Sequence, residues 1–473
     1  MTTYSEQARQ WVHIGSGSFA LLLRVLTWWE AAALAAFALV FNVLLLPRIG
    51  GRRLYRPVDE ARGFPLGILL YPLAVLLLTL TFPSRLDIVA AAWGILALGD
   101  GAATLVGRRV STFIAEPAEP AEPAERNAFD GSASSASSAF IRRRLPWNRD
   151  KTIAGTLAFV VCGGIAGVAL AWWTRPAVAP PPPMTFAIVA PLVAAIAAAF
   201  AETLPVRLDD NITVPATAGV VLWLASLMDA AAVSAARDAV VAAAPWAISV
   251  NVLTAWVGYR ARTVSRSGAV AGAVLGMIMY VGGGAAAWAL LFATFLAASV
   301  TSRFGLKRKV LLGIAEERGG RRGAGNAIAN CGVAAAAAIA AITTPHTAAS
   351  LLALVAALTA GGSDTVASEV GKAWGRSTFL VTTLGRVKPG TPGAMSLEGT
   401  AAGLVAAFGL AAAGVALGLV PGSATLAVVV GATAGALVES ALGATLEGPG
   451  ILNNDMLNLI NTAVAAAVAL ALA

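Results

Sequence analysis

Runs of about 20 apolar residues recur along the whole chain, and this feature restricts the possible fold more than any other. Each run is long enough to cross the hydrocarbon core of a bilayer as a helix. Of the 473 residues, 58% are apolar and 12% are charged, and the mean hydropathy of +0.76 lies far outside the soluble range. The sequence therefore predicts an all-α protein, a polytopic transmembrane helical bundle.

Hydropathy predicts about fifteen spans in two fused membrane domains, at residues 1–235 and 236–473. With these spans, all clusters of arginine and lysine fall on one face, and only single arginines fall on the other. The positive-inside rule then predicts a multi-pass protein with a cytoplasmic N-terminus. The predicted spans are 12–27, 30–46, 65–82, 87–106, 153–174, 184–204, 213–231, 239–258, 267–283, 285–301, 325–343, 348–361, 396–418, 424–441 and 456–473.

The composition also excludes several classes of site. Cys162 and Cys331 lie far apart in apolar or small-residue surroundings, so they form neither a metal motif nor a redox pair. The chain has two histidines, which excludes a histidine-rich metal centre. The net charge of +8 fits basic loops beside anionic lipid headgroups rather than nucleic-acid binding. The longest loop, at 110–148, contains low-complexity Glu-Pro-Ala and Ser-Ala sequence and is predicted to be disordered.

A polar stretch at residues 361–372 lies between two apolar runs and carries Asp364, Ser368, Glu369 and Lys372. Ionisable groups near the hydrocarbon are costly, so they are usually functional or paired. An aspartate and a glutamate with hydroxyl groups between them could hold a hydrated Mg²⁺ together with substrate phosphates. We therefore predict a functional loop. The alternative is a polar loop that ends one span and starts the next.

Other polar motifs of the second half offer phosphate and hydroxyl contacts. Glycines and two arginines at 319–323 precede a predicted helix and suit a phosphate cradle. A turn-rich loop at 388–400 contains Lys388 and Thr400. Asparagines one helical turn apart serve either a ligand or helix–helix hydrogen bonds. These pairs are Asn326 with Asn330 and Asn454 with Asn458.

The first half carries three polar motifs at predicted span boundaries. Asp100 lies among small residues that precede Arg108, which would let a metal–phosphate complex approach the backbone. Lys151 and Thr152 stand before a span, where charge, hydroxyl and free N–H groups can bind phosphate. The Asp-Asp-Asn sequence at 209–211 suits metal or ribose binding. The alternatives are helix capping for the acidic residues and lipid-facing charge for the basic ones.

Taken together, the first-half motifs resemble the CTP-dependent polyprenol kinases, namely dolichol kinase and, more closely, phytol kinase. The resemblance covers about residues 9–230 and implies phosphoryl transfer from CTP to an isoprenoid alcohol. Ala154 departs from the family, which usually has an acidic residue there, and the insertion separates two motifs that are usually close. The matching motifs are Arg9 with 13–17, 99–103 with 107–109, Lys151-Thr152 with 155–156, and 202–215.

The second-half motifs resemble the membrane-protein family that includes plant phytyl-phosphate kinase, over about residues 245–473. This resemblance implies the addition of a second phosphate to a prenyl monophosphate. Glu439 stands where the family commonly has aspartate, a change that keeps the charge. The matching motifs are 319–322 with 326–330, 363–365 with 367–371, 389–391 with Gly393, 399–400, Ser440 with 442–445, and 453–454 with Asn458.

The two resemblances together imply an enzyme, a bifunctional isoprenoid-alcohol salvage kinase. It would convert phytol or geranylgeraniol to the monophosphate and then the diphosphate, with CTP as donor and Mg²⁺ as cofactor, and feed tocopherol, quinone or carotenoid synthesis. The implied partners are the isoprenoid alcohol, its phosphate, CTP and the bilayer, with both active sites on the cytoplasmic face. One alternative is a cytidylyltransferase that makes a CDP-lipid. Another is a lipid transporter, whose charged residues would line a site at the membrane midplane.

Under this hypothesis, the polar residues take three kinds of role. The metal ligands are Asp100, Asp210, Asp364 and Glu369. The catalytic set is Asp100, Lys151, Asp209, Asp210, Asp364 and Glu369. The residues that contact substrate or nucleotide are His13, Arg108, Thr152, Asn211, Arg321, Arg322, Asn326, Asn330, Ser368, Lys388, Thr400, Asn454 and Asn458.

Overall fold

A computed structural model describes most of the chain, and it confirms an all-α polytopic membrane fold. In the described residues, eleven helices are long and apolar enough to cross a membrane, and two shorter apolar helices accompany them. Residues 110–115 of the predicted disordered insertion are helical, and most of its remainder lies outside the described residues. The described residues are 6–49, 55, 59, 64–115, 143–145, 148–203, 209–311, 313, 321–449 and 452–473.

The chain divides into two compact units, Met1–Ser226 and Leu227–Ala473. The predicted span at 12–27 is not one helix, because a 3₁₀ segment, Gly17–Arg24, follows the first helix. A π-helical segment, Ile95–Asp100, joins α4 to α5. The helices of the first unit are α1 (Glu6–Ser16), α2 (Trp28–Leu44), α3 (Leu66–Thr81), α4 (Leu86–Gly94), α5 (Gly101–Ala115), α6 (Ile153–Thr174), α7 (Met184–Thr203) and α8 (Asp210–Leu227).

Small residues allow the helices of the first unit to approach each other closely. A side chain at Gly167 of α6 would meet Ile95 and Pro191 at 3.0 Å. Alanines of α4 and α7 fill the space between these contacts. In lipid, helices associate through such close packing rather than through a hydrophobic driving force. The π-helical segment lies in this packed core and ends at Asp100, and such segments are frequent at functional sites.

The second unit combines one mostly buried helix, Thr347–Trp374, with more exposed helices and a short β-hairpin. The strands pair antiparallel, with Thr378 opposite Ser396 and Leu380 opposite Ala394. A π-helical segment, Gly443–Glu447, extends α15. The elements are α9 (Ala230–Arg260), α10 (Arg266–Arg303), α11 (Leu306–Leu311), α12 (Ala324–Thr343), α13 (Thr347–Trp374), β1 (Thr378–Leu380), β2 (Ala394–Ser396), α14 (Leu397–Ala416), α15 (Thr425–Leu442) and α16 (Asn454–Leu472).

Helix α10 is a hairpin of two legs rather than one straight rod. Its 38 residues would extend about 57 Å if straight, nearly twice the ~30 Å of hydrocarbon. Gly284 breaks it with φ 71° and ψ −172°. Arg266 donates to the Tyr259 hydroxyl at 3.2 Å, and Arg303 donates to the Ala261 carbonyl at 3.4 Å. Both ends therefore meet the same segment, and the legs correspond to the separately predicted spans 267–283 and 285–301.

The prediction of a loop at 361–372 is wrong, because these residues belong to the C-terminal half of α13. Seventy-eight per cent of the apolar window of this helix is buried, the largest share among the candidate spans. Its polar side chains therefore face protein rather than lipid. The free-energy cost of ionisable groups in hydrocarbon, which was the reason for predicting a loop, does not arise here. Gly362 contributes to this enclosure, since a side chain there would meet Leu410 at 2.6 Å and Thr294 at 2.8 Å.

Candidate functional site

A polar cavity of about 270 Å³ opens in the second unit, where α13, α15 and α16 meet the β-hairpin loop. The fold brings together predicted site residues that are distant in the sequence and belong to four different helices or their termini. Oxygen, amide and cationic groups thus converge on one space, as in small-molecule binding sites. The predicted residues that line the cavity are Arg322, Asn326, Asp364, Ser368, Glu369, Thr400, Asn454 and Asn458.

One face of α13 supplies the charged wall of this cavity. Asp364, Ser368 and Lys372 follow each other at intervals of four residues, so they lie on one helix face. The positive charge of Lys372 also stabilises the carboxylate charge of Asp364. Sequence reasoning placed Lys372 in the polar stretch but did not assign it to the site. The helical spacing, once the loop prediction is abandoned, identifies it.

Glu369 turns away from Asp364, because five residues correspond to about 140° of rotation around the helix. Its Oε2 accepts a hydrogen bond from Lys309, and the two side chains are 3% and 2% exposed. Lys309 also donates to the Ser302 carbonyl at 2.8 Å. The predicted role of Glu369 as a metal ligand therefore competes with a buried ion pair, and sequence reasoning did not identify Lys309 as its partner.

Two further glutamates line the cavity and were not predicted as site residues. Glu439 accepts a hydrogen bond from the Asn461 amide at 2.8 Å. Glu447 ends the π-helical segment that extends α15. An acidic residue inside an apolar span was the available signal for Glu439, since such residues are usually functional. With Asp364 and the ion-paired Glu369, these side chains give the cavity four carboxylates.

The other predicted residues of the second unit lie at or outside the edges of the cavity. Arg321 and Lys388 are exposed and are not among its lining residues. Asn330 donates to the Asn326 carbonyl at 2.9 Å and lines a separate apolar groove. Arg322 is held at the start of α12, since its backbone N–H donates to the Thr263 carbonyl at 3.0 Å.

The turn at 389–393 closes one side of the cavity. Gly393 has φ 69°, a conformation that favours glycine. A side chain there would also meet the Ala444 nitrogen at 2.2 Å and the Ser440 carbonyl at 2.3 Å. The backbone of the turn therefore packs directly against the end of α15. This close contact, together with the positive φ, requires glycine at position 393 of the Pro-Gly-Thr-Pro-Gly sequence.

A second acidic cluster lies in the first unit, around Lys151. Carboxylate oxygens of Asp100, Glu202 and Asp210 lie within 4.8 Å of one another, close enough to hold a metal ion. Lys151 donates to Glu202 at 2.5 Å and to Asp210 at 3.1 Å. His13 Nε2 is 3.5 Å from an Asp100 oxygen. Three carboxylates around one lysine leave negative charge that suits a cation with oxygen ligands, such as Mg²⁺.

Lys151 lies just before α6 and remains charged at neutral pH. Burial lowers the pKa of Lys151, but the carboxylates of Asp210 and Glu202 outweigh burial and raise that pKa above its ordinary value. A cavity of about 170 Å³ adjoins it, lined also by Arg108 and Thr152. The first unit therefore presents a fixed positive charge and an acidic cluster side by side.

Helix capping, the alternative considered for the acidic motifs, accounts for Asp209, and it also accounts for Thr152. The Thr152 hydroxyl accepts from the Gly155 N–H at 3.1 Å, which caps α6. Asp209 Oδ1 accepts from the Asn211 N–H at 3.0 Å and from its side-chain amide at 2.6 Å. Asp209 and Asn211 thus satisfy groups at the start of α8, whereas Asp210 contacts Lys151.

Comparison with known proteins relates the second unit to a membrane family. The family model described as integral membrane protein DUF92 matches residues 249–466. An uncharacterized membrane protein of Synechocystis, sll0875, is 40% identical over 200 residues, which cover 42% of this chain and 78% of that protein. An uncharacterized membrane protein of Methanocaldococcus jannaschii, MJ0933, is 32% identical over 207 residues, or 43% of this chain and 84% of the relative.

A plant protein is similar over a comparable length. Protein VTE6, chloroplastic, of Arabidopsis thaliana is 38% identical over 215 residues, which cover 44% of this chain and 64% of the plant protein. No solved structure matches the chain. The residues matched by the family model fall entirely inside the second unit and include all the lining residues of its polar cavity.

Proposed function

The chain belongs to the DUF92 family of integral membrane proteins, and from this premise we propose that its second unit is a prenyl-phosphate kinase. It adds a phosphoryl group to a long-chain isoprenoid monophosphate. The observation that carries the proposal is the single cavity in which Arg322 and Lys372 meet Asp364 and Glu439. The motif resemblance to plant phytyl-phosphate kinase and the 38% identity to the plant relative support it.

The reaction joins two phosphates, so charge neutralisation dominates its chemistry. A phosphate oxygen of the prenyl monophosphate forms a bond to the γ-phosphorus of a nucleoside triphosphate, which we propose to be CTP. The bond from that phosphorus to the β–γ bridging oxygen breaks, and the nucleoside diphosphate leaves. The site must hold both phosphates in line and offset the charge on their oxygens.

Two cations in the lining of the cavity suit this task. Arg322 lies beside the first turn of α12, whose free N–H groups bind anions, so these groups would hold the acceptor phosphate. Lys372 on α13 would hold the donor phosphates. Asn326, Asn454 and Asn458 would orient phosphate oxygens through their amides.

The acidic residues of the cavity fit a Mg²⁺ ion, which binds through one or two carboxylates plus substrate phosphates. Asp364 and Glu439 supply the carboxylates, and Ser368 and Ser440 add hydroxyl groups in the same cavity. When bound, the ion would neutralise charge on the transferring phosphoryl group. Asp364 is the best placed of these side chains, because it shares a helix face with Lys372.

Product analysis tests the proposal directly. Purified full-length protein in detergent is supplied with geranylgeranyl monophosphate, each of the four common nucleoside triphosphates in turn and Mg²⁺, and lipids are read by mass spectrometry. We expect the diphosphate, with CTP preferred and with no product after EDTA treatment. Failure to form the diphosphate with any donor would overturn the proposal.

A matched pair of variants assigns the reaction to the cavity. Asp364→Asn removes one carboxylate charge from the site and should reduce kcat by about 10²-fold or more, in the range of lost charge stabilisation at other active sites. Asp238→Asn makes the same chemical change at an exposed position on α9 and should retain activity. Equal activity of the two variants would remove the cavity from the mechanism.

The first unit supports a second candidate activity, phosphorylation of the isoprenoid alcohol itself. The specific observation is Lys151 beside the cluster of Asp100, Glu202 and Asp210. Lys151 would contact the donor phosphates, and the carboxylates would hold Mg²⁺ or accept the proton of the alcohol. The whole chain would then make a diphosphate from an alcohol in two steps, with both sites on the basic, cytoplasmic face.

Supplying the alcohol rather than the monophosphate separates the remaining alternatives. A bifunctional kinase yields monophosphate and then diphosphate, with release of CDP at each step. A cytidylyltransferase retains CMP in its lipid product and releases pyrophosphate. A transporter forms no product from either lipid. Monophosphate consumption without alcohol consumption would restrict the kinase activity to the second unit.

A further inference from the structure

A second cavity in the second unit is apolar and lies between α9, the two legs of α10 and α12. Its volume is about 140 Å³. Glycine and alanine from the first leg of α10 form one wall, and Leu291, Phe292 and Phe295 from the second leg form another. We refer to it as the α9–α10 groove. Its apolar lining suits a hydrocarbon chain rather than a polar ligand.

The groove and the polar cavity share two residues. Arg322 and Asn326 line both spaces, so a charged wall continues into an apolar one at the start of α12. A ligand with a phosphate head and a hydrocarbon tail has the same arrangement, a charged group followed by an apolar chain. Neither a free nucleotide nor an unphosphorylated lipid would satisfy both spaces together.

A polar pair on α9 and the second leg of α10 also lines the groove. Asn251 accepts a hydrogen bond from the Trp288 indole N–H at 3.1 Å. The Asn251 side chain also lies against Gly276 so closely that any side chain there would overlap it. Between Gly323 and Cys331 on α12, the groove follows about 12 Å of helix.

The volume limits how much of a tail the groove can hold. An apolar cavity of about 150 Å³ binds a single benzene molecule, so about 140 Å³ accepts a similar number of carbons. This corresponds to the isoprene unit next to the phosphate. A C20 tail is several times longer, so most of it must leave the groove sideways into the lipid.

We propose that the α9–α10 groove binds the isoprene unit adjacent to the phosphate and thereby selects the substrate by its head-proximal structure rather than by its total length. This inference rests on the proposed prenyl-phosphate kinase activity of the second unit. It assigns substrate selection to α9 and α10, which contribute little to the polar cavity itself.

Filling the groove tests the proposal. Gly272 lines it, and a side chain added there would meet nothing within 4 Å. Gly272→Leu should therefore fold normally and occupy the space of the isoprene unit. We expect kcat/KM for geranylgeranyl monophosphate to fall at least ~10-fold, because even one misplaced methylene in an apolar pocket costs ~10–200-fold. The matched control is Gly409→Leu on α14, also open to added atoms, which should stay within ~2-fold of wild type.

The outcomes distinguish this proposal from the proposed function. If wild-type protein forms no diphosphate, the kinase assignment fails. If wild type is active and Gly272→Leu matches Gly409→Leu, the groove assignment alone fails. Geranyl, farnesyl and geranylgeranyl monophosphates, compared in nanodiscs of fixed lipid content, should be used with similar kcat/KM. A steep rise with chain length would overturn selection by the head-proximal unit.

Photolabelling of wild-type protein gives a readout that needs neither turnover nor variants. A prenyl monophosphate that carries a diazirine on its first isoprene unit should label peptides from the helices that line the groove, Ala230–Arg260, Arg266–Arg303 and Ala324–Thr343. Excess geranylgeranyl monophosphate should suppress this labelling. Labelling confined to other helices, or labelling that the competitor leaves unchanged, would contradict the proposal.

Discussion

Each unit pairs a lysine with a glutamate from a distant part of the chain, but the two pairs have different surroundings. In the first unit the Lys151 side chain is 28% exposed, borders a cavity and also contacts Asp210. In the second unit Lys309 is 2% exposed and Glu369 is 3% exposed. The same two residue types therefore make a reachable charge in one unit and an enclosed pair in the other.

The two lysines also differ in the groups to which they donate hydrogen bonds. Lys309 satisfies its ammonium with Glu369 and the Ser302 carbonyl, inside protein. Lys151 faces carboxylates that also surround a candidate metal position. A buried charge must be paired, whatever its role, so pairing alone does not identify a site. Both lysines border a cavity, Lys151 one of about 170 Å³ and Lys309 one of about 310 Å³, so the exposed fraction of the lysine distinguishes the two pairs better than a neighbouring cavity does.

Each unit also contains a π-helical segment beside its acidic residues. In each, a π-helical segment ends at an acidic residue of the cavity or cluster, Asp100 in the first unit and Glu447 in the second. The wider turn of a π segment changes the direction of the side chains that follow it. In both units, this local change in the helix accompanies the acidic site.

The largest effect should come from breaking the enclosed pair. Lys309→Met removes one of the two cations that pair with the buried Glu369 and leaves only Lys372, at 3.7 Å; breaking a buried pair typically costs ~3–5 kcal/mol. We expect a marked fall in the unfolding midpoint of purified protein and loss of monophosphate phosphorylation. The double variant Lys309→Met/Glu369→Leu should recover most of the stability, because similarly sized apolar residues can replace a buried pair. A stable Lys309→Met protein would contradict the structural role.

Breaking the reachable pair should have a smaller effect on stability and a selective effect on activity. Lys151→Met removes charge-assisted hydrogen bonds worth ~1.5–3 kcal/mol each. It leaves Glu202 buried at 3% exposed, but water can reach Asp210, which is 34% exposed. We expect the alcohol step to be abolished while added geranylgeranyl monophosphate is still converted to the diphosphate. Loss of both steps in folded protein, measured by the same lipid analysis, would contradict two separate sites.

Asp209 should show a still smaller effect, because it caps α8 while the neighbouring Asp210 contacts Lys151. Asp209→Ala removes the cap and should cost ~1 kcal/mol of stability. Asp209→Ser keeps a capping oxygen and should be close to wild type in both unfolding midpoint and alcohol phosphorylation. If Asp209→Ser folds normally but loses the alcohol step, the predicted catalytic role of Asp209 would be correct.

The fold was predictable from the sequence because apolar length determines where helices can cross a bilayer. The stretch 361–372 misled this reasoning, since polarity indicates a loop only where lipid surrounds the chain, and α13 is surrounded by protein. The pairing of Lys309 with Glu369 was not predictable, because the two are 60 residues apart and Lys309 belongs to a basic run typical of a cytoplasmic loop. Helical spacing, by contrast, would have joined Asp364 to Lys372.

Between pH 7 and 9, the smallest effect is expected, namely no change in the charge of Lys151. Burial opposes the charge on Lys151, but Asp210 and Glu202 raise its folded-state pKa above the value of an unfolded lysine, about 10.4. A group of this kind contributes its full stabilisation below the unfolded pKa and loses it only as pH rises through the folded pKa. Lys151 should therefore keep its proton across this window, which ¹⁵N NMR of the lysine side chains in wild-type protein measures directly. A Lys151 ¹⁵N shift that titrates between pH 7 and 9 would show that Lys151 loses its proton there and would remove the fixed positive charge from the first-unit site.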